Sequence, residues 1–235
     1  MKNNNNDLKK EEFFYESIAA DFDNVMNRYE VAKRLDIIFN KILNFDLKGK
    51  KFLDAGCGTG LFSAAAAKRG AIVTSLDVGS KLLEQVAKKC KSKRIIGNVA
   101  KMPFKDNSFD IVLATEIIEH TSNPEKSIGE LSRVTKPGGL VIITVPNKIW
   151  KLSIYIANIF KIRPYHAFEN WLWWWELRNF VTKNNMNIES NFGFNIIPFF
   201  HPLLQPIITF FDPLGKLVSP LMVNIAIVAR KNVKK

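Results

Sequence analysis

A chain of 235 residues with 47% hydrophobic and 24% charged residues suits one packed domain and is too apolar for a wholly disordered one. Its two cysteines, Cys57 and Cys90, can build neither a disulfide framework nor a paired-cysteine zinc or redox site, so a reducing, cytoplasmic setting is expected. The net charge of +12 admits nucleic acid, an anionic membrane surface or an acidic substrate as partner, and alone it selects none.

Residues 1–10 open on a polar, asparagine-rich run that lacks the apolar stretch of a signal peptide and reads as a tail before a single domain at 11–235. Within that domain, residues 11–48 carry two helices, Glu11–Phe22 and Arg28–Leu43. The second has an apolar stripe of Val31, Leu35, Ile38 and Ile42. Packing against a sheet is the ordinary role of such a stripe, and covering the edge of a ligand is the other reading for both helices. Residues 49–147 form the core. Short β-rich runs at Lys51–Asp54, Ile72–Asp77, Arg94–Gly97, Asp110–Thr115 and Leu140–Val145 alternate there with helical stretches at Leu61–Arg69, Lys81–Cys90 and Pro124–Val134. Continuous apolar strands separated by helices predict a parallel sheet covered on both faces, an α/β doubly wound fold with right-handed crossovers.

Residues 148–222 differ in character. Trp150–Ile162 and Glu169–Lys183 look helical, the latter holding Trp171, Trp173, Trp174 and Trp175. Ser190–Phe211 then runs 22 residues without a charge, punctuated by Pro198, Pro202 and Pro206. That length equals a membrane span, but the prolines argue against a plain helix and for a buried or interfacial insertion. Residues 222–235 supply a last strand, Met222–Arg230, and a basic tail.

The segment Phe52-Leu-Asp-Ala-Gly-Cys-Gly-Thr-Gly60 leads from an apolar strand straight into a helix. Glycines at 56, 58 and 60 let backbone approach a ligand with no Cβ in the way. A phosphate-binding loop needs Gly-Lys-Ser/Thr, which is missing here, and a dinucleotide fingerprint reads G-x-G-x-x-G where this chain reads G-x-G-x-G. Asp54, just before the glycines, would repel a pyrophosphate but orient the ammonium of an amino acid, which points to S-adenosylmethionine. Asp77 ends the next strand, where a carboxylate can accept from both ribose hydroxyls or serve as a helix N-cap.

With Asp77, the strings Leu53–Gly60, Asn98-Val-Ala-Lys-Met-Pro-Phe104, Ser108-Phe-Asp110 and Lys136-Pro-Gly-Gly139 resemble the ordered motifs of class I S-adenosylmethionine-dependent methyltransferases of the type 11 group. The resemblance covers about Lys50–Asn147. It implies a Rossmann-like seven-stranded sheet whose last strand is antiparallel, with Ser190–Phe194 and Met222–Arg230 as its final strands. It also implies cofactor contacts at Asp54, Ala55, Gly56, Cys57, Gly58, Gly60, Asp77, Val78, Asn98, Val99 and Thr115. Asn98 stands where the family has an aspartate, and its carbonyl can still accept from the adenine amine.

Arg69–Gly79 together with Thr115-Glu-Ile-Ile-Glu-His120 is similar to the O-methyltransferases of ubiquinone biosynthesis. By that likeness Thr115 lies beside the methionine part of the cofactor and Arg34 reaches its carboxylate, a solvated helix face being the alternative for Arg34. A helical turn would place Glu116, Glu119 and His120 on one face. His120, with Glu119, is then the candidate base for an oxygen nucleophile. The likeness also implies a divalent cation on Glu116, Glu119 and His120, and a structural helix start is the alternative. Cys57 reads as a packing residue, and His166 and His201 as surface or packing histidines. Tyr165 and the Trp171–Trp175 cluster read as either acceptor-pocket lining or packing.

Eight Lys/Arg against one acid between Lys81 and Lys105 would suit nucleic acid. Base-modifying amino-methyltransferases, however, carry Asn/Asp-Pro-Pro-aromatic where this chain has Thr115-Glu-Ile-Ile118, so no nucleic-acid partner is expected. The expectation is a methyltransferase acting at oxygen on a small, lipophilic acceptor, with peripheral contact to a membrane surface. A nucleic-acid methyltransferase and a non-catalytic cofactor-binding protein are the alternatives.

Overall fold

A computed structural model describes residues 15–153, 170–196, 210, 215 and 217–233. Tyr165, His166 and His201 lie outside the described residues, as does most of the uncharged insertion. Seven strands form one sheet: β1 Lys51–Ala55, β2 Ile72–Asp77, β3 Lys93–Ile96, β4 Phe109–Thr115, β5 Thr135–Pro146, β6 Met186–Phe194 and β7 Asn224–Lys231. Their order is β3-β2-β1-β4-β5-β7-β6, and β7 runs antiparallel between β5 and β6. Strand order reverses between β1 and β4, so a crevice opens at the carboxyl ends of these strands, the usual ligand position in such sheets.

The apolar runs become the buried middle of this sheet. β4 and β7 are almost wholly buried, as expected of strands covered on both faces. One face packs Phe62 and Ala66 of helix α2 (Leu61–Lys68) with Ile38 and Phe39 on Phe52, Val73, Leu113 and Ile142. Helix α3 (Ser80–Lys89) joins Cys57 through Leu83 and Val86. On the opposite face, Ile128, Leu131 and Val134 of α4 (Pro124–Val134) and Leu177 and Val181 of α5 (Trp174–Lys183) pack on Val112, Val141, Ile143 and Ile227.

Before β1, helix α1 (Arg28–Leu35) widens into a π-helix at Asp36–Ile42, where the Leu43 N–H donates to the Ile38 carbonyl. Three consecutive apolar residues, Ile37, Ile38 and Phe39, are all buried there. An α-helical stripe cannot aim three neighbours at one surface, and the wider turn accommodates them.

Four sequence expectations shift. The first helix does not continue through Phe22: residues 18–21 are turns, and Phe22–Val25 is a separate helical turn. Of the stretch expected to be helical to Lys183, the described residues start at Asn170 and are helical only from Trp174. Asn170 is fastened to the Glu119 and Thr121 carbonyls, Leu172 bridges Asn147, and the Trp173 N–H donates to the Glu176 carboxylate to start the helix. β6 begins at Met186, four residues ahead of the uncharged run, because an edge strand tolerates the exposed Asn187 and Glu189. Lys136–Gly139 lies inside β5, with Gly138 at φ +74°.

Candidate functional site

The glycine loop sits where β1 enters α2. Gly56, Gly58 and Gly60 all have positive φ (74°, 52° and 84°), a region costly to side-chain-bearing residues. A Cβ on Gly56 would lie 2.2 Å from Ile117 Cγ1, and one on Gly60 would lie 2.8 Å from Val86 Cγ2. At Gly58 a Cβ would meet only Phe22, at 3.9 Å, so the middle glycine faces the open side of the loop. The Gly56 and Cys57 N–H groups donate to the Leu76 carbonyl, tying the loop to β2. Ala55 and Cys57 are buried, and burial pushes the Cys57 thiol well up, which suits a packing role.

Asp54 lies under this loop, 1% exposed. Its Oδ2 accepts from the Ser63 hydroxyl at 2.7 Å, while its Oδ1 is buried without a hydrogen bond. Burial raises its carboxyl to about 7 despite the Ser63 bond. Asp77 accepts the Gly58 N–H on Oδ2 at 2.8 Å and the Gly79 N–H on Oδ1 at 3.0 Å, so it clamps the glycine loop to the turn after β2. Burial raises its pKa too, against the pull of those N–H groups. Val78 is exposed beside it and Val99 is buried. Two buried carboxyl groups below a glycine cradle disfavour phosphates and favour a ligand bearing an ammonium or sulfonium, whose charge would hold them ionised.

Asn98 departs from expectation. Its side-chain oxygen accepts the Ala100 N–H at 2.7 Å, closing a local turn that an aspartate would close equally well. What the amide adds is a pair of donors. Asp110, a residue of the sequence motif, lies at the opposite sheet edge. It accepts the Lys51 N–H at 2.8 Å and the Lys136 ammonium at 2.6 Å, and despite partial burial these hold its carboxyl below the usual range. It is a strut between β1, β4 and β5.

At the end of β4, Thr115 is buried and Glu116 takes φ +49°. The Glu116 carboxylate turns into the sheet edge. Its Oε1 accepts from the Thr144 hydroxyl at 2.8 Å and its Oε2 from Asn224 Nδ2 at 3.2 Å, with Arg34 Nη1 3.8 Å from Oε1. Asn224 Oδ1 accepts from Asn195 Nδ2, and Asn195 Oδ1 accepts from Lys33 Nζ at 2.7 Å. The next turn, Ile118–His120, is 3₁₀ rather than α-helical, and Glu119 and His120 stand together at 3.9 Å. Glu116 therefore does not share their face. The three-residue metal site is corrected: among the described residues, no group of three or more His, Cys, Asp or Glu is placed to hold a metal ion. The guanidinium of Arg34, 7% exposed, is buried against Glu116, with Nε donating to the Glu30 carbonyl.

Residues 53–143 match the family described as "Methyltransferase domain". The ubiquinone biosynthesis O-methyltransferase of Coxiella burnetii is 35% identical over 114 residues, 46% of this chain and 49% of that protein. The enzyme of the same description from Actinobacillus pleuropneumoniae is 28% identical over 70% of this chain and 76% of its own length. A putative methyltransferase of Haloferax volcanii, solved with the Trm112 methyltransferase activator, superposes with a TM-score of 0.68 over 93% of this chain and 98% of its own, at 16% identity. The core of this chain, residues 53–143, is thus similar to a methyltransferase domain, and its sheet has the fold of the solved methyltransferase. The chain spans about half the length of the first curated relatives it matches.

The glycine loop, Asp54 and Asp77 converge on one crevice, with Thr115 and the Glu119–His120 turn at its end. The residues present fit S-adenosylmethionine: the orphaned Asp54 Oδ1 can take up an ammonium, and the open side of Gly58 lets a ligand approach the backbone. Sequence reasoning offered the two N-terminal helices as cover for a ligand edge without naming the residues that make the contacts. Tyr15 meets His120 edge-on at 6.1 Å and Phe22 at 5.6 Å, and the Glu16 carboxylate accepts the Lys81 N–H at the start of α3. Asp23 accepts from Thr59 of the glycine loop and pairs with Lys89. Phe22-Asp23 just before the second helix was the available signal, but only the chain path shows that it reaches the loop.

Proposed function

We propose that the chain is an S-adenosylmethionine-dependent methyltransferase that methylates a small, lipophilic acceptor at oxygen. The observation that carries this reading is the cradle itself: three left-handed glycines over a buried, half-bonded Asp54, clamped by Asp77. The names of the relatives, O-methyltransferases, support oxygen as the methylated atom.

When bound, the cofactor supplies an electrophilic methyl on a sulfonium, so the protein has chiefly to align the acceptor and exclude water. Asp54 and Asp77 hold the ammonium and ribose ends in this reading, and Arg34, steadied by Glu116, receives the carboxylate. His120, beside Glu119 after β4, takes the acceptor's proton. A lipophilic acceptor is supported by what adjoins that turn. Asn170 bonds the Glu119 and Thr121 carbonyls and leads directly into Trp171–Trp175, where Trp173 and Trp175 stack at 4.9 Å.

The test is calorimetric binding of S-adenosylmethionine, then a mass-spectrometric methyl-transfer screen over phenols, quinone precursors, sugars and carboxylates. His120→Ala is expected to keep cofactor affinity and lower turnover by about 100-fold or more. Unchanged turnover removes His120 as the base, and absence of cofactor binding overturns the whole reading.

A further inference from the structure

Thr59, between the second and third glycines, is buried, and its hydroxyl donates to the Asp23 carboxylate. The other oxygen of Asp23 lies 2.6 Å from the Lys89 ammonium, which also donates to the Thr59 carbonyl at 2.9 Å. One carboxylate from outside the core thus ties together the glycine loop and the last turn of α3. The same short segment seats Glu16 on the first turn of α3, Phe22 over Gly58 and Tyr15 against His120. Residues 15–23 therefore touch the β1, β2 and β4 loops, the three that frame the crevice. Ala19 is its single buried residue, so polar contacts rather than a core of its own fasten it down.

We propose that Asp23 is a positioning residue for the cofactor loop, and that residues 15–25 form the outer wall of the cofactor site, latched by the Asp23–Lys89–Thr59 contact. The inference rests on the cofactor reading above and assigns it residues outside the glycine core. With the latch closed, Thr59 is pinned between the glycines and the crevice is roofed by Phe22 and Tyr15. With it broken, the wall lifts and the ligand leaves. Both latch charges are partly exposed, at 36% for Asp23 and 23% for Lys89, so salt weakens the pair.

Asp23→Asn keeps an acceptor for Thr59 and loses the ion pair, Asp23→Ala loses both, and Lys89→Met opens the latch from the other side. Release of S-adenosylhomocysteine is read by stopped-flow displacement, and hydrogen exchange of residues 15–25 is read in the ligand-free protein. The expected result is release faster by about fivefold in Asp23→Asn and Lys89→Met and more in Asp23→Ala, with melting temperatures unchanged. Exchange of residues 15–25 rises in parallel, and raising salt from about 0.05 to about 0.5 M speeds release from the natural protein but not from Asp23→Ala. Unchanged release and exchange in all three variants overturn the latch. If the natural protein binds no S-adenosylhomocysteine, the methyltransferase reading falls, and exchange of the free protein still decides the latch.

Discussion

Asp54 shows how one residue can be costly to the fold and useful to the site. A carboxyl raised to about 7 by burial stays protonated below that value at little cost. The contribution is full below about pH 4, the ordinary carboxyl range, and is lost as pH rises through about 7, where the folded state must hold a buried charge. Asp54→Asn is therefore expected to stabilise the ligand-free protein at pH 8 more than at pH 5, and to weaken S-adenosylmethionine binding at both. Melting curves across that range check it, and a pH-independent difference would sink the argument. Glu116 carries the converse lesson. Its left-handed backbone and bonds to Thr144 and Asn224 commit it to joining β4, β5 and β7. A local string such as Thr115–His120 specifies neither commitment, because both partners lie far along the chain.

Among the elements, α1 carries Lys33 and Arg34 to the carboxyl edge of the sheet, and its start depends on Asn27. That side chain accepts the Tyr29 N–H at 3.0 Å and the Glu30 N–H at 3.3 Å. Losing such a cap costs about 1 kcal/mol. Asn27→Ala should lower the melting temperature by roughly 2–4 °C, and Asn27→Asp should restore it. An alanine variant that melts with the natural protein would show the cap to be idle. The core elements were legible because each is a run of one periodicity: Ile72–Asp77 and Pro124–Val134 fall where the sequence puts them. The π-helix at Asp36–Ile42 and the extended Asn170–Trp173 were not, since each answers to a surface supplied by distant strands and loops.

Across the whole molecule, the charge of +12 meets an apolar face at the carboxyl edge. Ile149, Leu152, Trp175 and Leu221 are exposed there, joined by the Trp150 indole donating to the Leu221 carbonyl and by Lys148 over the Trp173 ring. Exposed apolar side chains beside lysines suit an anionic membrane surface, and no helix among the described residues is long and apolar enough to cross a bilayer. The double variant Leu152→Glu/Trp175→Glu should co-sediment less with vesicles rich in phosphatidylglycerol than the natural protein, with no change in melting temperature. Equal partitioning would return these side chains to the acceptor site alone.

The order of strands and helices along the chain, the glycine loop and the acids at the carboxyl ends of β1 and β2 were determined by sequence alone, because each depends on neighbours a few residues away. Which carboxylate serves which purpose was decided only in three dimensions. Glu116 closes on Arg34 and Asn224, Asp23 crosses to Thr59 and Lys89, and Asp77 clamps Gly58 to Gly79. Most of these partners are dozens of residues apart. Burial and charge pair them, and periodicity along the chain carries no record of either.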